Sequence, residues 1–245
     1  MIPLNVQEPE GIEGDVDNST YLDIVEIFPT IQGEGPFSGE RAVFVRTAGC
    51  NLKCPQCDTD YTTNRQNTPY DEIWNSILSA YETFNDPAPM KNIFVVLTGG
   101  EPMRQNIGHF LLYLFNQQTV EVEIHVQIES NGTLYRENIP WFAPNLTTVV
   151  SPKGGKVNEK LIPYITAYKY VLDSEFVCPE DGLPTEQLGN PVRVARPQGK
   201  SVTYIQPADS GDAEKNKLNL QACVKSCQTF GYRLSLQLHK IIGVA

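Results

Sequence analysis

No apolar run in this 245-residue chain approaches the ~20 residues that cross a bilayer, so no transmembrane helix is expected. The N-terminus lacks a basic start followed by an apolar stretch, so no secretory signal is visible. Positive charge is scarce: 19 Lys and Arg stand against 29 Asp and Glu, for a formal net charge of −10. Electrostatic grip on nucleic acid needs clustered Lys and Arg that release counterions, so a small-molecule partner is expected and a polynucleotide is not. Internal repeats are also missing. What remains is a chain long enough for one sizeable α/β core, expected in a soluble, reducing, cytoplasmic setting.

The central motif is defined by one more shortage. Cys50, Cys54 and Cys57, in Gly49-Cys-Asn-Leu-Lys-Cys-Pro-Gln-Cys-Asp-Thr59, supply three thiolates from one short loop with Cys-x3-Cys-x2-Cys spacing. A closed tetrahedral zinc site or an ordinary electron-transfer cluster takes four protein ligands. Three thiolates can instead hold three irons of a [4Fe–4S] cluster and leave the fourth iron open to a small molecule. A structural zinc loop with a distant fourth ligand, or three unrelated core thiols, stays open on spacing alone. Cys223 and Cys227, at i and i+4 with Leu220 and Val224, read as the apolar stripe of a helix over 212–230, hence as core. Cys178 stands alone in a Pro/Gly-rich stretch and carries no assignment.

Strand-like runs recur at 21–28, 42–48, 92–98, 121–129, 147–150, 168–172, 201–205 and 233–238. Helical patterns lie over 106–116 and from Thr68-Pro69, a cap followed by Pro at the first helical position, to Asn85. Alternation of this kind implies a parallel sheet with right-handed crossovers. The complete units are too few for a closed eight-fold barrel, so a partial, open parallel β/α barrel is expected, with ligands at the carboxyl ends of its strands. Residues 1–20 read as a flexible acidic extension, 21–245 as a single domain, and about 173–200 as a loop insertion.

Several polar motifs fall at those strand ends: Thr98-Gly-Gly-Glu-Pro102, Glu129-Ser-Asn-Gly132, Ser151-Pro-Lys153, Gln206-Pro207 and His239. The Gly-Gly pair lets backbone approach a ligand where a Cβ would collide. Gln32, Glu34 and Arg46 sit at the edges of apolar strands, where polar groups are usually paired or aimed at a ligand; Arg can clamp a carboxylate with two parallel hydrogen bonds.

The three-cysteine loop resembles that of the radical S-adenosylmethionine enzymes. Taken with Glu26-Ile-Phe-Pro-Thr-Ile-Gln-Gly-Glu-Gly-Pro36, Ala42-Val-Phe-Val-Arg46, Asp58-Thr-Asp-Tyr61 and Gln237-Leu-His-Lys240, the chain is similar to the 7-carboxy-7-deazaguanine synthase family. The similarity runs from about Asp23 to the last residue and weakens between about Asp173 and Lys200. It implies an enzyme of queuosine and 7-deazapurine synthesis, a lyase that contracts the ring of 6-carboxy-5,6,7,8-tetrahydropterin to 7-carboxy-7-deazaguanine with loss of ammonia. A 5′-deoxyadenosyl radical derived from S-adenosylmethionine would start that reaction, so no protein general acid or base is implied. The resemblance places Cys50, Cys54 and Cys57 on a [4Fe–4S] cluster and Thr59 on Mg²⁺. Gln56, Asp58, Gly100, Glu101, Glu129, Ser151, Lys153 and Gln206 fall near S-adenosylmethionine. Ile31, Gln32, Gly33, Glu34, Arg46, Thr98, His239 and the carboxylate of Ala245 fall around the pterin. A flavodoxin-like reductase and a homodimer are implied as well. Gln56 departs from the family, which usually has an aromatic there to cover the adenine. Two other readings stay open: an activase that makes a glycyl radical on a partner protein, and a zinc-binding interaction module without catalysis. Neither accounts for Gln32-Gly-Glu-Gly35 together with His239.

Overall fold

Runs rich in Val, Ile and Phe form strands because branched and aromatic side chains pack well on a pleated surface. In the computed structural model, which describes residues 4–14 and 19–244, β1 (Tyr21–Ile31) and β2 (Arg41–Thr47) pair antiparallel. A short β3 (Gln66–Pro69) lies antiparallel on the other side of β1. The sheet continues in parallel through β4 (Lys91–Gly99), β5 (Val122–Ser130), β6 (Leu146–Val150), β7 (Ala167–Leu172), β8 (Val202–Pro207) and the two-residue β9 (Arg233–Leu234). Its order is β3-β1-β2-β4-β5-β6-β7-β8-β9, so the described strands form an open sheet. The expected open parallel sheet is therefore joined at one edge by an antiparallel strand, β1. The link from Gln32 to Glu40 is too short for a crossover, which takes a dozen or more residues, so β2 must return antiparallel to β1.

Three longer helices cover one face. α1 (Tyr70–Glu82) begins one residue later than its sequence suggests: Pro69 occupies the N-cap, and Thr68 makes no cap bond. α2 (Ile107–Phe115) buries Ile107, Phe110, Leu111 and Leu114 completely. α3 (Ala213–Phe230) is capped by Asp212, whose carboxylate accepts from Lys215 N at 2.9 Å, and ends at Gly231 in the left-handed region, φ 76°. Cys223 is fully buried in the main core and Cys227 packs beside it, as expected, but Leu220 of the expected stripe is exposed; the buried face runs through Asn219, Cys223 and Ser226 instead. The strand expected over 233–238 stops at Leu234; a short helix, α4 (Leu238–Ile242), carries His239. No described helix is long and apolar enough to cross a membrane.

Strand alternation decides which side chains reach the concave face. In β5, Ile124, Val126 and Ile128 enter the helix-covered core, which turns Gln127 and Glu129 the other way. In β7, Tyr168, Tyr170 and Leu172 are core and Lys169 faces the concave side, as do Arg46 of β2 and Thr98 of β4 by the same rule. Arg46 and Thr98 are direct partners in the β2–β4 register.

Two irregular segments pack onto the body. Residues 4–14 are not a free extension: they lie against the cysteine loop, bonded to Cys50, Pro55 and Arg104 through the backbone. Residues 173–200 form no helix or long strand, as a loop insertion should, and are tied to the body by Tyr170, whose hydroxyl donates to Ala195 O at 2.7 Å, and by Tyr232, whose hydroxyl donates to Asp181 O at 2.8 Å.

Candidate active site

The carboxyl ends of the strands enclose a cavity of about 760 Å³. Cys50, Cys54 and Cys57 line one end, with Asp58 and Thr59 beside them. The cysteine loop is held to the end of β4 by two glycines. A Cβ on Gly100 would stand 2.1 Å from Gly49 O and 2.9 Å from Cys50 Cβ, and one on Gly99, at φ 130°, would stand 2.1 Å from Thr47 O. The Gly-Gly pair thus permits close passage of the protein's own backbone, while both residues also border the cavity. Glu101 lies behind that wall, fully buried and absent from the cavity lining. Its carboxylate accepts from Asn131 N at 2.7 Å, Ser130 Oγ at 2.9 Å and Met103 N at 3.1 Å. Burial pushes Glu101 up to about 7 against those three donors.

The donor set suits an iron–sulfur cluster. Thiolates are its usual ligands, and all six cysteines are free, with these three facing one space. Without metal, burial raises all three thiols, Cys50 to about 12, with Glu101 and the other two cysteines adding to that rise. Among the described residues no three His, Cys, Asp or Glu side chains converge tightly enough for a single metal ion. Lys153 faces this end; burial lowers its pKa, while Cys54 acts in the opposite sense. Its ammonium donates to Ser151 Oγ at 2.6 Å, so the Ser-Pro-Lys motif is brought together beside the cysteines.

The same cavity is lined by an ionic network in which Lys169 is buried and Glu34 and Glu129 are half-buried. Lys169 donates to Glu34 and, at 3.0 Å, to Glu129. Glu34 also accepts from Gln206 Nε2 at 3.0 Å and Gln237 Nε2 at 3.2 Å; Glu129 accepts from Gln127 Nε2 at 2.9 Å and Gln32 Nε2 at 3.2 Å. Burial alone would raise Glu34, but the Lys169 charge overcomes it and holds the carboxyl down to about 2. Burial likewise opposes the charge on Lys169, and Glu129 and Glu34 together raise its pKa. Arg46 borders the same space, its Nε donating to Glu26 at 2.6 Å and its guanidinium 5.7 Å from the Phe28 ring centre. The Oε1 atoms of Gln127 and Gln206 are buried without a hydrogen-bond partner.

Of the residues picked from sequence, Ile31, Gln32, Glu34, Arg46, Thr98 and His239 line the cavity. Gly33 lies directly against His239, within contact of its ring. Gln206, expected near an adenine, lines the cavity and donates to Glu34. Gln56 does not reach the lining; its N–H donates to Leu188 O at 3.0 Å, and Leu188, at φ 51°, borders the cavity in its place. Ala245 lies outside the described residues. Sequence reasoning missed Lys169, although a lone cation in the apolar strand Ala-Tyr-Lys-Tyr-Val-Leu is itself a signal. Leu188 offered none.

Residues 31–140, which include all three motif cysteines, match the family model described as a 4Fe-4S single cluster domain. The 7-carboxy-7-deazaguanine synthase of Rhodospirillum rubrum is 40% identical over 241 residues, covering 94% of this chain and 96% of that protein. The enzyme of the same name from Rickettsia prowazekii is 36% identical, over 93% of this chain and 90% of its own length. The crystal structure of QueE from Escherichia coli superposes with a TM-score of 0.62 over 92% of this chain and all of that one, at 21% identity, so the fold is shared. At this identity and coverage, the chain belongs to the 7-carboxy-7-deazaguanine synthase family.

Proposed function

We propose that this protein contracts the ring of 6-carboxy-5,6,7,8-tetrahydropterin to 7-carboxy-7-deazaguanine with loss of ammonia, serving queuosine or other 7-deazapurine synthesis. The observation that carries the reading is one cavity lined both by a thiol trio and by an ionic network centred on Lys169. When bound, the cluster supplies the electron that cleaves S-adenosylmethionine and so provides the hydrogen-abstracting chemistry.

The chain's own residues supply grip and orientation. Cys50, Cys54 and Cys57 would hold the cluster. Ser151 and Lys153 would meet the methionine carboxylate and ribose, and the Gly99–Gly100 backbone its amine. Glu34 and Glu129, both bonded by Lys169, offer acceptors for the N–H edge of a pterin. Arg46 and His239 suit the substrate carboxylate. The hydroxyl of Thr59, bonded to Asp58 at 3.2 Å, offers with that carboxylate the hard oxygen donors Mg²⁺ prefers. Such fixed groups lower the barrier by orientation and by exclusion of water.

A flavodoxin-like electron donor, a homodimer and a cytoplasmic setting complete the reading, supported by the family resemblance and, for the setting, by six free thiols. Anaerobically reconstituted protein given reductant, S-adenosylmethionine, Mg²⁺ and the pterin should release the deazaguanine product. An intact cluster protein that makes none would reject the proposal.

A further inference from the structure

Residues 48–62 form no helix or strand, so their buried backbone groups need partners from elsewhere. The N-terminal segment provides them. Asn5 N donates to Pro55 O at 2.8 Å and Asn5 Nδ2 to Cys54 O at 3.1 Å. Gln7 spans the far side of the loop: its Nε2 donates to Thr59 O at 2.9 Å, and its Oε1 accepts from Tyr61 N at 2.8 Å. Glu10 N donates to Cys50 O at 2.7 Å, and the Glu10 carboxylate is anchored by Arg65 at 2.9 Å and Arg104 at 3.4 Å. Two of the three cysteines thus have their carbonyls fixed by this segment.

The geometry points to Asn5, Gln7 and Glu10 as positioning residues for the cluster: they form a strap that sets the shape of the cysteine loop and slows loss of the cluster. Each side chain is only partly buried; Asn5 and Gln7 bond the loop through their amides and Glu10 through its backbone N–H, so the strap's contribution is local. Partners that orient metal ligands from outside the coordination sphere typically change metal affinity about 10–100-fold. The readout needs no substrate, so failure here and failure of the proposed reaction are separate results.

The test compares the full chain with its Asn5→Ala/Gln7→Ala double variant, both reconstituted anaerobically. Decay of the cluster's visible absorbance on addition of EDTA is followed at a temperature well below the melting point of either apo protein. Ile12→Ala, which removes a 55% exposed side chain from the same segment, serves as the control. The double variant should lose its cluster about tenfold faster or more, and the control at the parent rate. Equal rates for double variant and parent overturn the proposal, whatever the melting points. If the double variant fails to fold, Asn5→Ala and Gln7→Ala separately carry the same expectation and the same refutation.

Discussion

A Cβ built on Gly33 would stand 2.1 Å from Nδ1 of His239 and 2.9 Å from its backbone N. Residues near the start and end of the chain therefore meet without space for a methyl group, and Leu238 N donates to Gly33 O at 3.1 Å across the same junction.

Gly33→Ala must displace α4, because one of the colliding atoms is backbone and cannot rotate aside. The KM for the pterin should rise at least ~10-fold, the effect of about 1.4 kcal/mol of lost binding. Iron content should stay at the parent level. Steady-state kinetics beside iron analysis checks both; an unchanged KM contradicts the placement of His239 against substrate.

Lys169→Met leaves the half-buried Glu34 and Glu129 without their cation, which should cost about 1–3 kcal/mol of stability near neutral pH. The sign with pH follows from Glu34, whose folded pKa of about 2 lies below its ordinary 4.5. A depressed carboxyl stabilises the fold above its unfolded pKa and loses that contribution as pH falls through the folded one. Parental stability from this group should therefore be full above about pH 4.5 and fade toward pH 2. In the variant the sign reverses: melting temperature should climb as pH drops from 8 to 5, because protonation relieves the unpaired carboxylates. A melting series across that range decides it.

Glu101→Gln replaces one acceptor oxygen with an NH2 facing hydrogen-bond donors. The bonds to Asn131 N, Ser130 Oγ and Met103 N cannot all survive. A loss of about 1–3 kcal/mol is expected, measured by denaturant unfolding of the apo protein. A variant as stable as the parent would remove Glu101 from its bracing role.

Cys50, pushed up to about 12 by burial, must shed its proton to ligate iron. Cluster uptake should therefore release protons and tighten as pH rises from 6 to 8, which iron-binding titrations at fixed ionic strength would show. Cys223→Ala, in the core, should leave iron content unchanged and lower stability instead.

Much of the fold was legible because burial imposes periodicity. Eight strand runs and the three longer helices stand close to where their apolar patterns lie. β3 escaped notice because Gln66-Asn-Thr-Pro69 has no apolar face, and β9 shortened because α4 takes up the residues around His239. Within the site, the cysteine loop and strand-end motifs were readable from residue type and spacing, while Lys169 was readable only as an anomaly.

The amino-acid sequence by itself determined the cysteine spacing, the alternation that turns Glu129 and Lys169 to the concave face, and the Gly99–Gly100 pair. Each depends on neighbours a few residues apart. Tertiary structure alone decided that Lys169 joins Glu34 to Glu129, that Glu101 braces the wall rather than lining it, and that residues 5–10 grip the cysteine loop. Those contacts link residues tens to more than a hundred positions apart. Many of them end on backbone carbonyls, which every residue carries and no sequence pattern reveals.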